Sequence, residues 1–192
     1  MLALLPNLMT FARIALIPVI VGLLYIPAPW ASWAAFGLYL LAAVTDWLDG
    51  YLARRLDATS PLGRFLDPIA DKLLVTALVV VVIANGTVGP ISALPALVIL
   101  CREILVSGLR EYLAEQGVGM PVSKLAKWKT ASQMVALALL ILGSAAPWGY
   151  STLMPGLVLL WIAGVLTAVT GWDYLKTGLH HMRGSAANNE RR

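Results

Sequence analysis

Four of the chain's ten acidic residues lie in two short stretches, DWLDGYLAR at residues 46–54 and GRFLDPIAD at residues 63–71. Asp46 and Asp49 are three residues apart, and Asp67 and Asp71 are four apart. On an α-helix, both spacings place the two side chains on one face, about one turn apart. A short loop of turn-forming residues joins the two stretches. The sequence therefore predicts two antiparallel helices that bring four carboxylates into one cluster.

A cluster of four carboxylates needs a positive group, because like charges that are held close together repel one another. Oxygen ligands without histidine or cysteine favour a hard divalent cation, Mg²⁺ or Mn²⁺, and we expect two ions. The alternative is a set of solvated charges at helix ends, each paired with a nearby cation: Arg54, Arg55, Arg64 or Lys72. Ionisable groups beside long apolar stretches are costly to keep and are functional by default, which favours the metal site.

The composition is that of a polytopic membrane protein and not of a soluble domain. Of the 192 residues, 59% are hydrophobic and 12% are charged, and the mean hydropathy is +0.80. Three long stretches carry no charge, at residues 14–45, 73–101 and 130–172, and proline, alone or with glycine, breaks each near its middle. A helix needs about 20 residues to cross the hydrocarbon core of a bilayer. Each stretch therefore predicts one helical hairpin, and the predicted fold is all-α with six transmembrane helices.

The distribution of positive charge predicts the topology. The three breaks carry no Lys or Arg, so all 14 cationic residues lie on the other side of the hairpins. The positive-inside rule then places both termini in the cytoplasm. We expect one domain over residues 1–178 and a polar cytoplasmic tail over residues 179–192. The net charge of +4 fits an anionic inner leaflet, and it does not indicate nucleic-acid binding because the cations are interleaved with the spans.

Several polar residues are placed to line the inner ends of the first two spans. Asn7, Thr10 and Arg13 follow one another at intervals of three residues, so they share one helix face. They either cap the helix and anchor it at the interface, or line the mouth of the first span. Arg54 lies about two turns beyond Asp46, within reach of the same cavity, and its planar guanidinium suits a phosphate.

The fourth predicted span, about residues 90–114, contains two arginines. Arg102 and Arg110 are eight residues apart and therefore lie within about 80° of each other around the helix. Arg102 lies deep enough to need a partner, and since the adjacent Glu103 points elsewhere, we expect that partner on another span. Two interpretations stay open: a structural ion-pair network among the spans, or an anion site built from Lys72, Arg102 and Arg110. The lysines that follow are either membrane anchors or further members of that anion site: Lys124, Lys127 and Lys129.

Hard divalent ions with a basic pocket at the cytoplasmic membrane edge suit chemistry at phosphorus, because the ions neutralise a diphosphate and its leaving group. This position favours an amphiphilic substrate whose headgroup enters the cavity. A transporter that uses the carboxylates as its ion site is the alternative from another class of protein. It is disfavoured because the acids lie at the cytoplasmic helix ends and no internal repeat is evident.

The pattern Asp46-x2-Asp49-Gly50-x2-Ala53-Arg54-x8-Gly63-x3-Asp67-x3-Asp71 resembles the signature of the CDP-alcohol phosphotransferase family at every fixed position. The flanking segments resemble more narrowly the bacterial members that use glycerol 3-phosphate as the acceptor. Among these segments are LPNLMTFAR at residues 5–13, REILVSGLRE at residues 102–111 and KWKTASQM at residues 127–134. The resemblance covers the chain up to about Lys176.

The resemblance implies a role for each of these polar residues. The metal ligands would be Asp46, Asp49, Asp67 and Asp71, and Asp71 would also be the general base. The CDP part of CDP-diacylglycerol would lie against Gly50, Ala53 and Arg54, with Ser60, Asn7 and Thr10 close by. The phosphate of the acceptor would contact Lys72, Arg102, Arg110 and Lys127.

The resemblance also implies a reaction and a setting. The free hydroxyl at carbon 1 of sn-glycerol 3-phosphate would attack the β-phosphorus of CDP-diacylglycerol, and CMP would be released. A sister enzyme that uses inositol phosphate, serine or phosphatidylglycerol as the acceptor is the alternative. The expected assembly is a homodimer in the bacterial inner membrane, with its active site facing the cytoplasm.

Overall fold

The computed structural model of the chain is all-helical. It describes residues 5–56, 61–119, 124–145 and 151–189. Within these ranges, the side chains outside the description are those of residues 5–7, 47, 49–56, 61, 62, 64, 67, 124, 144 and 180–189. No β-strand occurs in the described ranges, so the all-α prediction is confirmed for that part of the chain.

Six α-helices follow one another along the described chain: α1 (Leu5–Leu24), α2 (Pro29–Leu56), α3 (Pro61–Ala84), α4 (Ala93–Glu115), α5 (Lys124–Leu142) and α6 (Leu153–Asn189). Their number and order agree with the six predicted helices. α6 is longer than its predicted span, because it continues through residues 179–189, which the sequence assigns to the polar tail. A short 3-10 turn, Gly143–Ala145, follows α5.

Two helical segments in the described part of the chain are long and apolar enough to cross a membrane: Leu125–Leu142 of α5 and Leu153–Leu179 of α6. The apolar part of α1, Leu8–Leu24, is shorter. In α2 and α3, the charges at one end limit the uncharged part of the helix to residues 29–45 and 73–84. Six spans with both termini in the cytoplasm therefore stay a prediction.

Apolar side chains cover the outward faces of the helices as well as their packed faces. Large hydrophobic side chains are exposed along the described helices, among them Phe11, Leu41, Val80, Ile104 and Trp161. A helix that is hydrophobic on all sides is typical of the interior of a large protein or of a membrane. These exposed side chains agree with a chain whose helices are surrounded by lipid.

The helices divide into two compact units. The first unit comprises Met1–Pro90 with Leu137–Leu157, and the second comprises Ile91–Ala136 with Val158–Arg192. In the first unit, α1 packs against both α2 and α3. α2 contributes a fully buried face of small residues, Ala31, Ala35 and Ala42. Small side chains allow helix backbones to approach closely, so these alanines favour tight packing within the first unit.

Hydrogen bonds hold one end of the helices in the first unit. The side-chain amide of Asn85, which follows α3, donates to the carbonyl of Leu24 at the end of α1 over 3.2 Å. The indole N–H of Trp33 in α2 donates to the carbonyl of Ala145 over 2.9 Å. The first bond joins the ends of α1 and α3, and the second joins α2 to the 3-10 turn after α5.

In the second unit, α4 and α6 pack closely along a row of three glycines. A Cβ atom added to each glycine would lie 2.6–2.8 Å from a residue of α4: Gly164 from Pro95, Gly171 from Arg102 and Gly178 from Leu109. Successive contacts are seven residues apart on both helices and advance in the same direction. That period is typical of parallel helices in left-handed packing. The missing side chain at Gly171 also leaves room for the aliphatic stem of Arg102.

We expect Gly164→Ala to destabilise the second unit. The added Cβ would lie 2.6 Å from Cβ and 3.0 Å from Cα of Pro95, so relief requires α4 and α6 to separate. Overpacking of this kind costs about 1–3 kcal/mol, which thermal unfolding in detergent can measure. Gly108→Ala is the matched control, because that helical glycine has open space around it and alanine favours the helix. Equal unfolding midpoints in the two variants would contradict the close packing of α4 and α6.

Candidate active site

Two of the predicted carboxylates meet in the first unit on one cationic side chain. The Nη1 atom of Arg13 in α1 lies 2.7 Å from Oδ1 of Asp46 in α2. The same nitrogen donates a hydrogen bond to Oδ1 of Asp71 in α3, also over 2.7 Å. Because both oxygens contact one nitrogen, the two carboxylates are close neighbours. Carboxylates from the two signature helices therefore do meet, and a residue of a third helix lies between them.

The three side chains differ in their exposure. The side chain of Arg13 is 1% exposed, whereas those of Asp46 and Asp71 are 44% and 52% exposed. A buried charge needs a partner to offset the loss of its hydration, and here two carboxylates supply that compensation. The carboxylates themselves remain accessible, so a ligand can approach them while Arg13 stays enclosed.

The helical position of Arg13 explains why it reaches the carboxylates. It is the only charged residue of α1, and Thr10, one turn earlier, is fully buried on the same face. Since α1 packs against α2 and α3, this face points toward the two signature helices. The side chain of Asn7, which shares the face by spacing, lies outside the description.

Arg13 is the site residue that the sequence reasoning did not assign. Its spacing with Asn7 and Thr10 places it at the inner mouth of the first span, but this spacing does not indicate its pairing with the carboxylates. A signal was present, because a lone cation in an otherwise uncharged helix needs a buried partner. Of the nearby acids, the signature carboxylates were the obvious candidates.

The other signature residues are described in part or not at all. Asp49 and Asp67 lie in α2 and α3, about one helical turn from Asp46 and Asp71, but their side chains lie outside the description. The same holds for the side chains of the predicted CDP contacts in α2: Gly50, Ala53 and Arg54. Ser60 lies outside the described residues altogether. Among the described side chains, no group of three or more His, Cys, Asp or Glu residues could hold a metal ion.

The donor chemistry of the described part fits a hard divalent cation. Oδ1 of Asp46 and Oδ1 of Asp71 converge on one positive group, the guanidinium of Arg13. Carboxylate oxygens are the ligands that Mg²⁺ and Mn²⁺ prefer. The helical backbone places Asp49 and Asp67 one turn away on the same two helices. Asp46 and Asp71 are therefore suitable as two of the ligands of the predicted metal site.

The predicted acceptor cations are divided between the two units. Lys72 follows Asp71 in α3 and belongs to the first unit, where its side chain is half-buried. Arg102, Arg110 and Lys127 belong to the second unit. Within that unit the side chains of Arg110 and Lys127 are exposed, whereas that of Arg102 is only 13% exposed.

Arg102 is held by α6 and, more weakly, by its neighbour in sequence. Its stem lies against Gly171, and its guanidinium carbon is 5.4 Å from the centre of the Tyr174 ring, a cation–π contact. Its Nη1 also lies 3.5 Å from Oε1 of Glu103, so the expectation that the adjacent Glu103 points away from Arg102 is wrong. The expected partner on another helix is therefore Tyr174, an aromatic ring and not a carboxylate.

Glu103 has its closer contact with Lys129 of α5, which donates a hydrogen bond to Oε1. The side chain of Lys129 is 5% exposed, so this ion pair joins α4 to α5 inside the second unit. The sequence left Lys129 either as a membrane anchor or as part of an anion site. Its burial against Glu103 fits neither alternative and favours the structural ion-pair network that was one of the two interpretations for Arg102.

Comparison with known proteins shows which family the chain resembles along most of its length. The family model for CDP-alcohol phosphatidyltransferases matches residues 3–169. The CDP-diacylglycerol--glycerol-3-phosphate 3-phosphatidyltransferase of Rickettsia bellii is 48% identical over 172 residues, which cover 90% of this chain and 93% of the relative. The protein of the same name from Cereibacter sphaeroides is 40% identical and covers 93% of this chain and 96% of the relative.

A relative with a different name matches over a shorter part. The cardiolipin synthase (CMP-forming) of Oryza sativa subsp. japonica is 43% identical over 148 residues, which cover 71% of this chain and 45% of the relative. The family match includes α1 to α5 and both signature stretches. The chain therefore belongs to the CDP-alcohol phosphatidyltransferase family.

Proposed function

We propose that the protein transfers the phosphatidyl group of CDP-diacylglycerol to sn-glycerol 3-phosphate, giving phosphatidylglycerophosphate and CMP. The observation that carries this proposal is the similarity, over nine-tenths of both chains, to relatives named for this transfer. The proposal is supported by the paired carboxylates of the first unit, Asp46 and Asp71, which would hold the metal ions that such a transfer needs. The proposal makes the protein an enzyme of phospholipid synthesis.

A second acceptor is favoured by one specific observation. The relative named cardiolipin synthase (CMP-forming) is 43% identical to this chain, and such an enzyme would use a phospholipid acceptor where the others use glycerol phosphate. The match covers less than half of that relative, so glycerol 3-phosphate remains the acceptor that we propose. Inositol phosphate and serine are the remaining alternatives within the family.

The family generally uses divalent metal ions, and we assign them to the carboxylate cluster. The ligands would be Asp46 and Asp71, which lie together on Arg13, with Asp49 and Asp67 one turn along the same helices. We propose two ions, Mg²⁺ or Mn²⁺. When bound, they would neutralise charge on the diphosphate of the lipid substrate and on the departing CMP.

Asp71 is the residue that we assign as the general base. Its carboxylate is half-exposed, so a substrate hydroxyl can reach it. Asp71 would accept the proton of the C1 hydroxyl as that oxygen bonds to the β-phosphorus of CDP-diacylglycerol. The bond from this phosphorus to the oxygen bridging to CMP breaks, and CMP leaves with the electron pair.

Binding of the two substrates is assigned to different parts of the chain. We propose that the CDP group lies against the α2 segment and its neighbours: Gly50, Ala53, Arg54, Ser60, Asn7 and Thr10. For the acceptor phosphate we propose Lys72, Arg102, Arg110 and Lys127. Arg110 and Lys127 are the stronger assignments, because they are exposed while Arg102 packs on Tyr174.

The setting that we propose is the inner membrane of a bacterium. The apolar helices of the chain agree with membrane association, and the distribution of positive charge supports a cytoplasmic position for both termini and the carboxylate cluster. Six spans and a homodimer complete the proposal.

The acceptor can be identified by CMP release from the purified protein in detergent. With CDP-diacylglycerol and Mg²⁺ or Mn²⁺, we expect release with sn-glycerol 3-phosphate and not with inositol phosphate, serine or phosphatidylglycerol. A chelator should abolish the reaction. Without the metal ions, nothing neutralises the negative charge of the diphosphate, and the carboxylates would repel it. Release with another acceptor would move the protein to a sister reaction. Metal flux into liposomes without any CMP release would instead favour the transporter.

Asp71→Asn should lower the turnover number by about 10² or more, the usual effect of losing a general base. The amide has the same shape but cannot accept the proton, so the fold should be retained. Asp173→Asn is the matched control, since Asp173 is exposed on α6 and has no proposed role. Near-normal turnover in Asp71→Asn would rule out the assignment of the base.

Arg110→Ala and Lys127→Ala should raise the KM for glycerol 3-phosphate more than the KM for CDP-diacylglycerol. Each removes a cation from the proposed phosphate site, and the lipid substrate is assigned elsewhere. Lys176→Ala removes a charge that is also exposed, from α6, and should leave both KM values unchanged. Equal increases in both KM values would indicate a structural role for Arg110 and Lys127.

A further inference from the structure

One side chain connects three helices at the candidate active site. Nη1 of Arg13 in α1 contacts Asp46 of α2 and Asp71 of α3 at 2.7 Å each. A guanidinium nitrogen of this kind carries two N–H groups, so it can donate to both carboxylates at once. No other charged residue occurs in α1. Arg13 is therefore the residue through which α1 can form an ion pair with the signature helices.

The burial of Arg13 distinguishes this contact from a surface ion pair. Its side chain is 1% exposed, whereas an arginine that anchors a helix at the membrane interface extends its head into water. Exposed ion pairs fix little, because their side chains move freely and water screens them. An enclosed guanidinium has few alternative positions, so the two carboxylates that bind it are fixed relative to each other.

The two carboxylates also need a cation for their own sake. Oδ1 of Asp46 and Oδ1 of Asp71 both contact one nitrogen of Arg13. Two carboxylates at such a short separation repel each other unless a positive charge lies between them. Asp49 and Asp67 add negative charge to the same two helices. Without Arg13, this repulsion would act directly between α2 and α3.

We propose that Arg13 is a positioning residue for the transfer reaction. It holds the proposed base Asp71 at a fixed distance from Asp46, and it ties both to α1, so that the carboxylates of two helices form one site. This inference rests on the proposed function, because it concerns the residues assigned there to proton transfer and metal binding. It assigns no contact between Arg13 and either substrate.

The test compares Arg13→Gln, Arg13→Lys and the control Lys176→Gln. Glutamine removes the charge, whereas lysine keeps the charge and loses the forked geometry of the guanidinium. The control removes an exposed charge that lies in α6. Each protein is purified as a folded fraction by gel filtration, and kcat, both KM values and the thermal unfolding midpoint are measured.

In Arg13→Gln we expect kcat to fall at least tenfold, since small misplacements of reacting groups have effects of about this size or larger. Both KM values should change by less than about threefold, because binding groups are unaffected. Arg13→Lys should give an intermediate kcat, which is partial rescue by the conservative variant. Lys176→Gln should match the unchanged protein in every measurement.

A second measurement uses no substrate. In the presence of a chelator, Arg13→Gln should unfold at a lower temperature than the unchanged protein, because the carboxylates repel each other. Adding Mn²⁺ should raise the midpoint of Arg13→Gln more than that of the unchanged protein, because the ion supplies the missing positive charge. A general loss of packing would lower the midpoint equally with and without Mn²⁺.

Several results would overturn the proposal. One is an unchanged kcat in folded Arg13→Gln. Another is a large rise in the KM for CDP-diacylglycerol with unchanged kcat, which would place Arg13 on the substrate. If Arg13→Gln does not fold, Arg13→Lys decides the matter, and a kcat equal to that of the unchanged protein would reject the proposal. Failure of the proposed function itself would appear separately, as transfer to another acceptor or as activity in Asp71→Asn.

Discussion

A buried charge among apolar helices is stable only with a partner, and the described structure depends on this constraint. In the first unit, Arg13 has two carboxylate partners, Asp46 and Asp71, from two different helices. In the second unit, the buried Lys129 of α5 has Glu103 of α4. In both units the ion pairs join side chains of different helices, so the pairs that offset the cost of burial also favour the meeting of particular helix faces.

The two sets of ion pairs differ in what they leave accessible. Asp46 and Asp71 keep about half of their side-chain surface exposed, so the first unit presents carboxylates to a ligand while the cation stays enclosed. In the second unit the contact between Lys129 and Glu103 is mostly enclosed, and Arg102 packs on Tyr174. The same physical requirement therefore produces an accessible acidic site in one unit and an internal link between helices in the other.

Small residues make these contacts possible. The buried alanines of α2 favour close packing in the first unit, and the glycines of α6 let α4 lie directly against it in the second. Gly171 has a double effect, because its missing side chain makes room for the stem of Arg102 and so directs the guanidinium toward Tyr174. Polar contacts inside such bundles depend on the shape of the neighbouring backbone as much as on charge.

The sequence by itself determined the all-α class, the six helices and the family, because charge-free stretches, breaks and the spacing of the signature are local properties. Helical periodicity also placed Asp46 and Asp71 on helix faces that could meet. It could not select their partner, because Arg13 and Asp71 are 58 residues apart and periodicity gives the direction of a side chain only on its own helix. Lys127 and Lys129 illustrate the same limit. They are two residues apart, so a rotation of about 200° around the helix axis separates their side chains. Only tertiary packing decided that Lys129 is buried against Glu103 while Lys127 is exposed.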